Sequence, residues 1–195
     1  AFHIRGPIPF SPKIVIIEIS DTDIKSIGRW PWKRSWHAAL IKSLTGLGAK
    51  YIYYDVIFSE PSEEENDDLL LEHAIKNSPG VCLPFFQEDN LPSSPETLLP
   101  LKRFSDYAAT GIINIYPDKD GIIRKVRLIS NLNGKVLIHA SLKSALEFSG
   151  LNLENIGPKR LVLSGESGKI FVPLTDRESM LINWSGKWSK SFKHY

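Results

Sequence analysis

The chain has 195 residues, of which 42% are hydrophobic and 24% charged, with a formal net charge of +2. That balance excludes a disordered or low-complexity chain, and the small net charge without a lysine or arginine block argues against nucleic acid as a partner. No apolar run reaches the roughly eighteen residues needed to span a bilayer. A single cysteine, Cys82, lies in an apolar run, so an intramolecular disulfide is impossible and a buried thiol is expected.

The first element is the β-branched run Ile14 to Ile19, which reads as a strand buried on both faces of a parallel sheet, with Asp21 just beyond it. A short helical segment carrying Ile24 and Ile27 leads into Gly28-Arg29-Trp30-Pro31-Trp32-Lys33-Arg34-Ser35. Tryptophan is costly to leave in water, arginine offers a planar fork for carboxylate or phosphate, and proline fixes the backbone that presents them. The segment is either a structural knot or a recognition surface. Trp36, Leu40, Leu44 and Leu47 follow at helical spacing, with Gly48 as the C-terminal cap. The strand Tyr51 to Val56 comes next, and this strand, helix, strand order predicts a right-handed βαβ crossover.

In such a crossover the returning helix starts near the C-terminal edge of the sheet. Asp21, Asp55 and the segment from Gly28 to Ser35 are therefore expected to converge there, where open α/β sheets bind ligands. The acidic run Glu63 to Asp68 reads as a solvated loop entering a second helix, whose apolar face is Leu69, Leu70, Ala74 and Ile75. The strand Val81 to Phe86 extends the pattern. Gln87 to Pro100, rich in proline and serine, reads as a surface excursion, and Phe104 to Ala109 as one or two helical turns.

The remainder has a different character. Gly111 to Tyr116 and Ile122 to Ile129 flank a turn at Pro117-Asp118-Lys119-Asp120-Gly121, which predicts an antiparallel hairpin. A turn at Asn131 to Gly134, a helix from Ile138 to Ser149 ended by Gly150, a hairpin of Leu161 to Leu163 with Ile170 to Val172, and a last strand from Met180 to Trp184 complete the series. The fold class is α/β: one domain over residues 1–195 with a mixed sheet, parallel βαβ units first and antiparallel hairpins last.

Few motifs carry chemistry. Gly165-Glu166-Ser167-Gly168-Lys169 has the wrong glycine spacing for a phosphate loop and precedes a strand, so it reads as a hairpin turn. Asp118-Lys119-Asp120-Gly121 lacks the remaining ligands of a calcium loop, so Asp118, Asp120 and Gly121 form a structural turn, with Arg124 close by in sequence. His3, His37, His73, His139 and His194 are scattered without ligand spacing, so neither a metal nor another cofactor is expected. Asp21 and Asp55 are read as pairing with Arg29, Arg34 or Arg124, or as touching a ligand. Acid/base catalysis is the weakest reading, since no nucleophile or metal set accompanies them.

Ile14 to Asp21, Gly28 to Arg34 with His37, Gly48-Ala49-Lys50, Asp55-Val56-Ile57-Phe58-Ser59-Glu60, Asn114 to Pro117, and Asp118 to Arg124 occur in an order that resembles the type-two CHASE domain. The resemblance runs from about Ile14 to Trp184. It implies an extracytoplasmic sensory domain of a bacterial membrane receptor, held by flanking transmembrane helices that lie outside this sequence, with a cyclase or kinase as output. It carries no catalytic or binding residues with it. The site expected from the residues themselves is Arg29 and Arg34 holding an anionic group, Trp30 and Trp32 walling the pocket, and Asp21 and Asp55 orienting the arginines or the ligand. The partner is a small ligand or a periplasmic protein. A dimerisation or interaction module, with a homodimer, is the alternative, and a carboxylate hydrolase a more distant one.

Overall fold

The computed structural model describes residues 11–87, 97–132, 134–186 and 193–194. The chain divides into two compact units, one of Ala1–Trp32 with Ile182–Tyr195 and one of Lys33–Leu181. Asp21, Arg29, Trp30 and Trp32 belong to the first, Arg34 and Asp55 to the second. Of the stretch Gln87 to Pro100, read above as a surface excursion, residues 88–96 lie outside the described residues.

In the first unit, strand β1 (Val15–Ile16) pairs in parallel with β13 (Lys193–His194), and helix α1 spans Asp21–Ile27. This corrects two expectations. Only two residues of the apolar run enter a ladder, and Ile14, Val15, Ile17 and Ile19 are exposed rather than buried on both faces. The partner of β1 is the final strand, so the first crossover does not run from Ile14–Ile19 to Tyr51–Val56. A continuous β-branched run fits any sheet, because it lacks the alternation that would select a face and a register.

The second unit is built around β3 (Val81–Gln87). β2 (Ile52–Tyr53) and β5 (Ala109–Ile112) flank it in parallel, and β4 (Thr97–Leu98) pairs antiparallel with its last two residues. Helices α2 (Arg34–Gly46) and α3 (Glu65–Lys76) cover one face, where Ala38, Ile41, Leu71 and Ile75 pack with Val81 and Leu83 of β3, together with Phe104 of the short α4 (Lys102–Ser105). Cys82 points the other way, as alternation along a strand requires, and meets Ser144 of α5 (Ala140–Ser149). Its thiol is buried, and desolvation pushes its pKa up.

The contact between α5 and the sheet is close. A Cβ on Gly111 of β5 would stand 2.4 Å from the Cα of Ala140, so no side chain fits between strand and helix there. At the other end of α5, Gly150 takes the left-handed conformation (φ 62°), as the sequence predicts for a helix terminator.

A second core lies under α5, where Leu142 and Leu146 pack with Leu128, Ile129, Leu161, Leu163 and Leu174. It is roofed by antiparallel pairs: β6 (Lys125–Arg127) with β12 (Ser179–Leu181), β7 (Ile129–Leu132) with β8 (Lys135–Ile138), and β9 (Asn152–Ile156) with β10 (Arg160–Gly165) and β11 (Gly168–Pro173). The predicted β10–β11 hairpin is present, closed by the pair Gly165 and Gly168. The hairpin predicted across Asp118–Gly121 is not. Its turn forms, with Asp118 N–H donating to the Ile122 carbonyl at 3.0 Å, but the strand before it joins β3 and the strand after it joins β12. A turn sequence fixes its own geometry without fixing which strands pair.

Both helix faces are also displaced from the sequence reading. In α2 the buried residues are His37, Ala38 and Ile41, whereas Trp36 and Leu47 are exposed. In α3 Leu69 and Leu70 are exposed, and Asp67, Asp68, Leu71 and Ile75 are buried. The acidic run is therefore only partly solvated, and its last two carboxylates enter the protein.

Candidate functional site

Within the second unit, α2 and α3 both begin at the C-terminal edge of the parallel strands, as the return path of an α/β connection requires. Arg34 is the first residue of α2, and Asp68 stands in the first turn of α3. The chain between Tyr54 and Glu64 crosses the same edge.

Asp68 is wholly buried. One carboxylate oxygen accepts from the Ser62 backbone N–H at 3.0 Å and lies 3.8 Å from Nη1 of Arg103, and the other is 3.5 Å from Nε of Arg34. Arg103 also donates to Glu65 at 2.8 Å and Glu72 at 2.9 Å, bonds that raise its pKa, Glu65 first. Arg34 donates to the Glu60 carbonyl at 3.0 Å, and its guanidinium lies 4.5 Å from the centre of the Phe58 ring. A buried carboxylate with two guanidiniums and a backbone donor ties together α2, α3, α4 and the chain after β2.

Phe58 fills the centre of this edge. It is fully buried, edge-on to His37 (5.2 Å between centroids) and to Phe104 (5.9 Å), and its carbonyl accepts from Leu101 N–H at 2.8 Å. His37 Nδ1 and the Tyr54 hydroxyl are 2.8 Å apart, and burial raises the Tyr54 phenol. Where an open α/β sheet would leave a crevice, the chain's own aromatic side chain stands.

Asp55 accepts from the Tyr53 hydroxyl at 2.9 Å, and the phenol is raised by burial first and by the neighbouring carboxylate second. The pairing of Asp55 with Arg34 or Arg124 considered from sequence is not made: Arg34 goes to Asp68, and Arg124 to Asp118 and Asp120. Arg124 Nη1 reaches Asp118 at 2.8 Å, while Nη1 and Nη2 grip both oxygens of Asp120 at 2.9 and 2.8 Å. Led by that contact, the Asp120 carboxyl falls to about 2. Gly121 closes the turn with φ 77°, donating to the Asp118 carbonyl at 2.8 Å.

In the first unit, Ser20 caps α1 through a reciprocal pair with Asp23: Ser20 N–H donates to the Asp23 carboxylate at 2.8 Å and Asp23 N–H to the Ser20 hydroxyl at 3.3 Å. The Ser20 hydroxyl bond chiefly holds the Asp23 carboxyl below its usual range. Asp21 is exposed in the first turn of the same helix. Beyond Gly28 the peptide Trp30-Pro31 is cis, the indoles of Trp30 and Trp32 meet edge to face at 5.4 Å, and Trp32 Nε1 donates to the Gly28 carbonyl at 2.8 Å. Arg29 is exposed beside them and, among the described residues, forms no ion pair.

Among the described residues no group of three or more His, Cys, Asp and Glu is placed to hold a metal ion; His3 lies outside them. No helix among them is long and apolar enough to cross a membrane.

The family description that matches this chain is CHASE2 domain, over residues 1–195, its whole length. The chain belongs to the CHASE2 domain family. That family comprises extracellular sensory domains of receptor proteins, sensory rather than catalytic. No curated protein and no solved structure matches the chain.

In this CHASE2 domain several of the residues that carry the resemblance are part of the framework. Phe58 is the plug, Arg124 staples its turn, and the Asn114 side chain extends the sheet. Asn114 Oδ1 accepts from Gln87 N–H at 3.1 Å and Nδ2 donates to the Gln87 carbonyl at 2.6 Å, so an amide side chain stands in for a strand beyond the end of β5. Asp68 and Arg103 are not among the residues the sequence reading expects at the site, and Phe58 enters that reading only as part of the resemblance. The signal for Asp68 was its spacing, three and seven residues before Leu71 and Ile75, which puts it on the inner stripe of α3.

Proposed function

We propose that this CHASE2 domain is the extracytoplasmic input domain of a bacterial transmembrane signalling receptor, taking its signal at the exposed Arg29–Trp32 segment and passing it to a cyclase or kinase output. The observation that carries the reading is the contrast between two arginines. Arg34 is drawn inward by Asp68, the Glu60 carbonyl and Phe58, whereas Arg29 is exposed beside the paired indoles of Trp30 and Trp32. A guanidinium next to aromatic rings on a fixed backbone suits an anionic group on a small ligand or a periplasmic protein. Asp21, in the same unit, supplies an acceptor, while Arg34 and Asp55 serve the framework. Membrane attachment is assigned to helices flanking this sequence.

Location is tested with alkaline phosphatase fused directly after this domain in the receptor. Enzymatic activity in intact bacteria supports the reading, and an inactive, stably expressed fusion overturns it.

A second reading, an interaction module, is favoured by the outer faces of α2 and α3. Trp36 is 54% exposed, Leu47 85%, and Leu69 and Leu70 are also in solvent. Sedimentation of the chain over a range of concentrations decides it, since a strictly monomeric species removes homodimerisation.

A further inference from the structure

His139 stands where three elements meet. It caps α5 with φ −61° and ψ 141°, its Nδ1 accepting from Ser141 N–H at 3.2 Å and lying 2.8 Å from the Ser141 hydroxyl. With Nδ1 an acceptor, the neutral ring carries its proton on Nε2, a buried atom with no hydrogen-bond partner among the described residues. The His139 N–H donates to the Leu128 carbonyl at 2.9 Å, and the residue bridges Ile112 of β5 in parallel. Ala140, next in the chain, is the residue pressed against Gly111.

Among the described residues no hydrogen bond or ion pair joins the His139 ring to a carboxylate that would welcome a second proton. β5 (Ala109–Ile112) and the Leu128–Ile129 segment carry no ionisable side chain. On α5 the nearest is Lys143, whose ammonium is held by Glu147 at 2.7 Å. The flanking strands carry the cations Lys125 and Arg127 on β6 and Lys135 on β8, and the carboxylate of Glu178, whose backbone carbonyl accepts from Leu128 and Ile129 N–H, pairs with Arg127 at 3.4 Å. Burial is what holds the His139 pKa below its ordinary 6.5.

We infer that His139 is a proton-operated release for α5: protonation of the ring removes the acceptor that caps the helix and loosens its seat on β5. The imidazolium bears N–H on both nitrogens, so the Ser141 N–H then faces a donor, and the new charge sits at the positive end of the helix dipole. Because the folded-state pKa lies below the ordinary 6.5, the stabilising effect is fully present above 6.5 and is lost as pH falls from there through the folded-state pKa. The inference deepens the proposed function and rests on it in one respect, by naming the proton as an input to a domain outside the cytoplasm.

The test is an NMR titration of the 195-residue chain, following the His139 ring and the hydrogen-exchange protection of the Ser141 and Lys143 amides, corrected for intrinsic exchange. The expected result is a ring midpoint below 6.5, with several-fold loss of protection at both amides tracking it. A midpoint at or above that value, or protection that ignores it, overturns the inference. His139→Asn keeps a capping acceptor that does not titrate, so its α5 protection is expected to stay flat. In the whole receptor, output should change between neutral and mildly acidic medium for the wild type and not for His139→Asn. No change in the wild type, or the same change in both, overturns the proton as input. A wrong location shows itself separately, as an inactive phosphatase fusion beside an unaltered titration.

Discussion

The carboxylate of Asp68, wholly buried, lies 3.5 Å from Nε of Arg34, and these two residues stand in the first turns of the two helices that cover one face of the sheet. Removing Arg34 leaves the buried carboxylate with only Arg103 at 3.8 Å and the Ser62 N–H, and removing Asp68 leaves Arg34 with only the Glu60 carbonyl and the Phe58 ring. Asp68→Ala or Arg34→Ala is therefore expected to lower stability by about 3 kcal/mol, read from urea denaturation midpoints at constant m-value. A loss below about 1 kcal/mol, the range of an exposed pair, would show that the network is not a keystone of this edge.

Phe58 occupies the centre of that edge against His37, Phe104 and the Arg34 guanidinium. Phe58→Ala is expected to cost about 3–5 kcal/mol through lost burial and the cavity left behind. Phe58→Leu, which keeps most of the volume, should recover a large part of it in the same denaturation experiment.

Gly111 has no space for a methyl group, with Ala140 Cα 2.4 Å from the position a Cβ would take. Gly111→Ala should destabilise by about 1–3 kcal/mol, and the amides of α5 should lose exchange protection before those of α3.

Arg124 holds Asp120 at about 2, well below the usual carboxylate range. A depressed acid stabilises the fold above its unfolded pKa and ceases to do so as pH falls through the folded one. In Arg124→Ala the Asp120 carboxyl, followed by NMR, should titrate close to an ordinary aspartate. An unchanged midpoint would assign the depression to the backbone bond from Ile122 instead.

Much of the framework was legible in the sequence because local chemistry specified it. Gly48 and Gly150 end their helices with positive φ, Gly165 and Gly168 close the β10–β11 hairpin, and Val81–Phe86 runs down the middle of the sheet. What was not legible depends on partners distant in sequence. The run at Ile14–Ile19 carries no register, so its pairing with Lys193–His194 could not be read from it. Arg34 and Arg103 meet Asp68 across gaps that no motif spacing encodes, and Phe58 was hidden in a stretch with no periodicity. Helix faces slipped because a buried histidine, His37, and two buried aspartates, Asp67 and Asp68, occupy positions a purely apolar stripe would assign to leucine. Of the expected site residues, Arg34 is drawn into the framework, while Arg29, Trp30 and Trp32 keep the composition of a recognition surface.

The central claim, that the exposed Arg29–Trp32 segment receives the signal, is tested most directly by the output of the full receptor carrying Arg29→Ala. Output is normalised to the amount of receptor in the membrane. The account predicts an altered response at unchanged abundance, since Arg29 forms no ion pair among the described residues and its loss should leave stability within about 0.5 kcal/mol. A response identical to the wild type at equal abundance would contradict it.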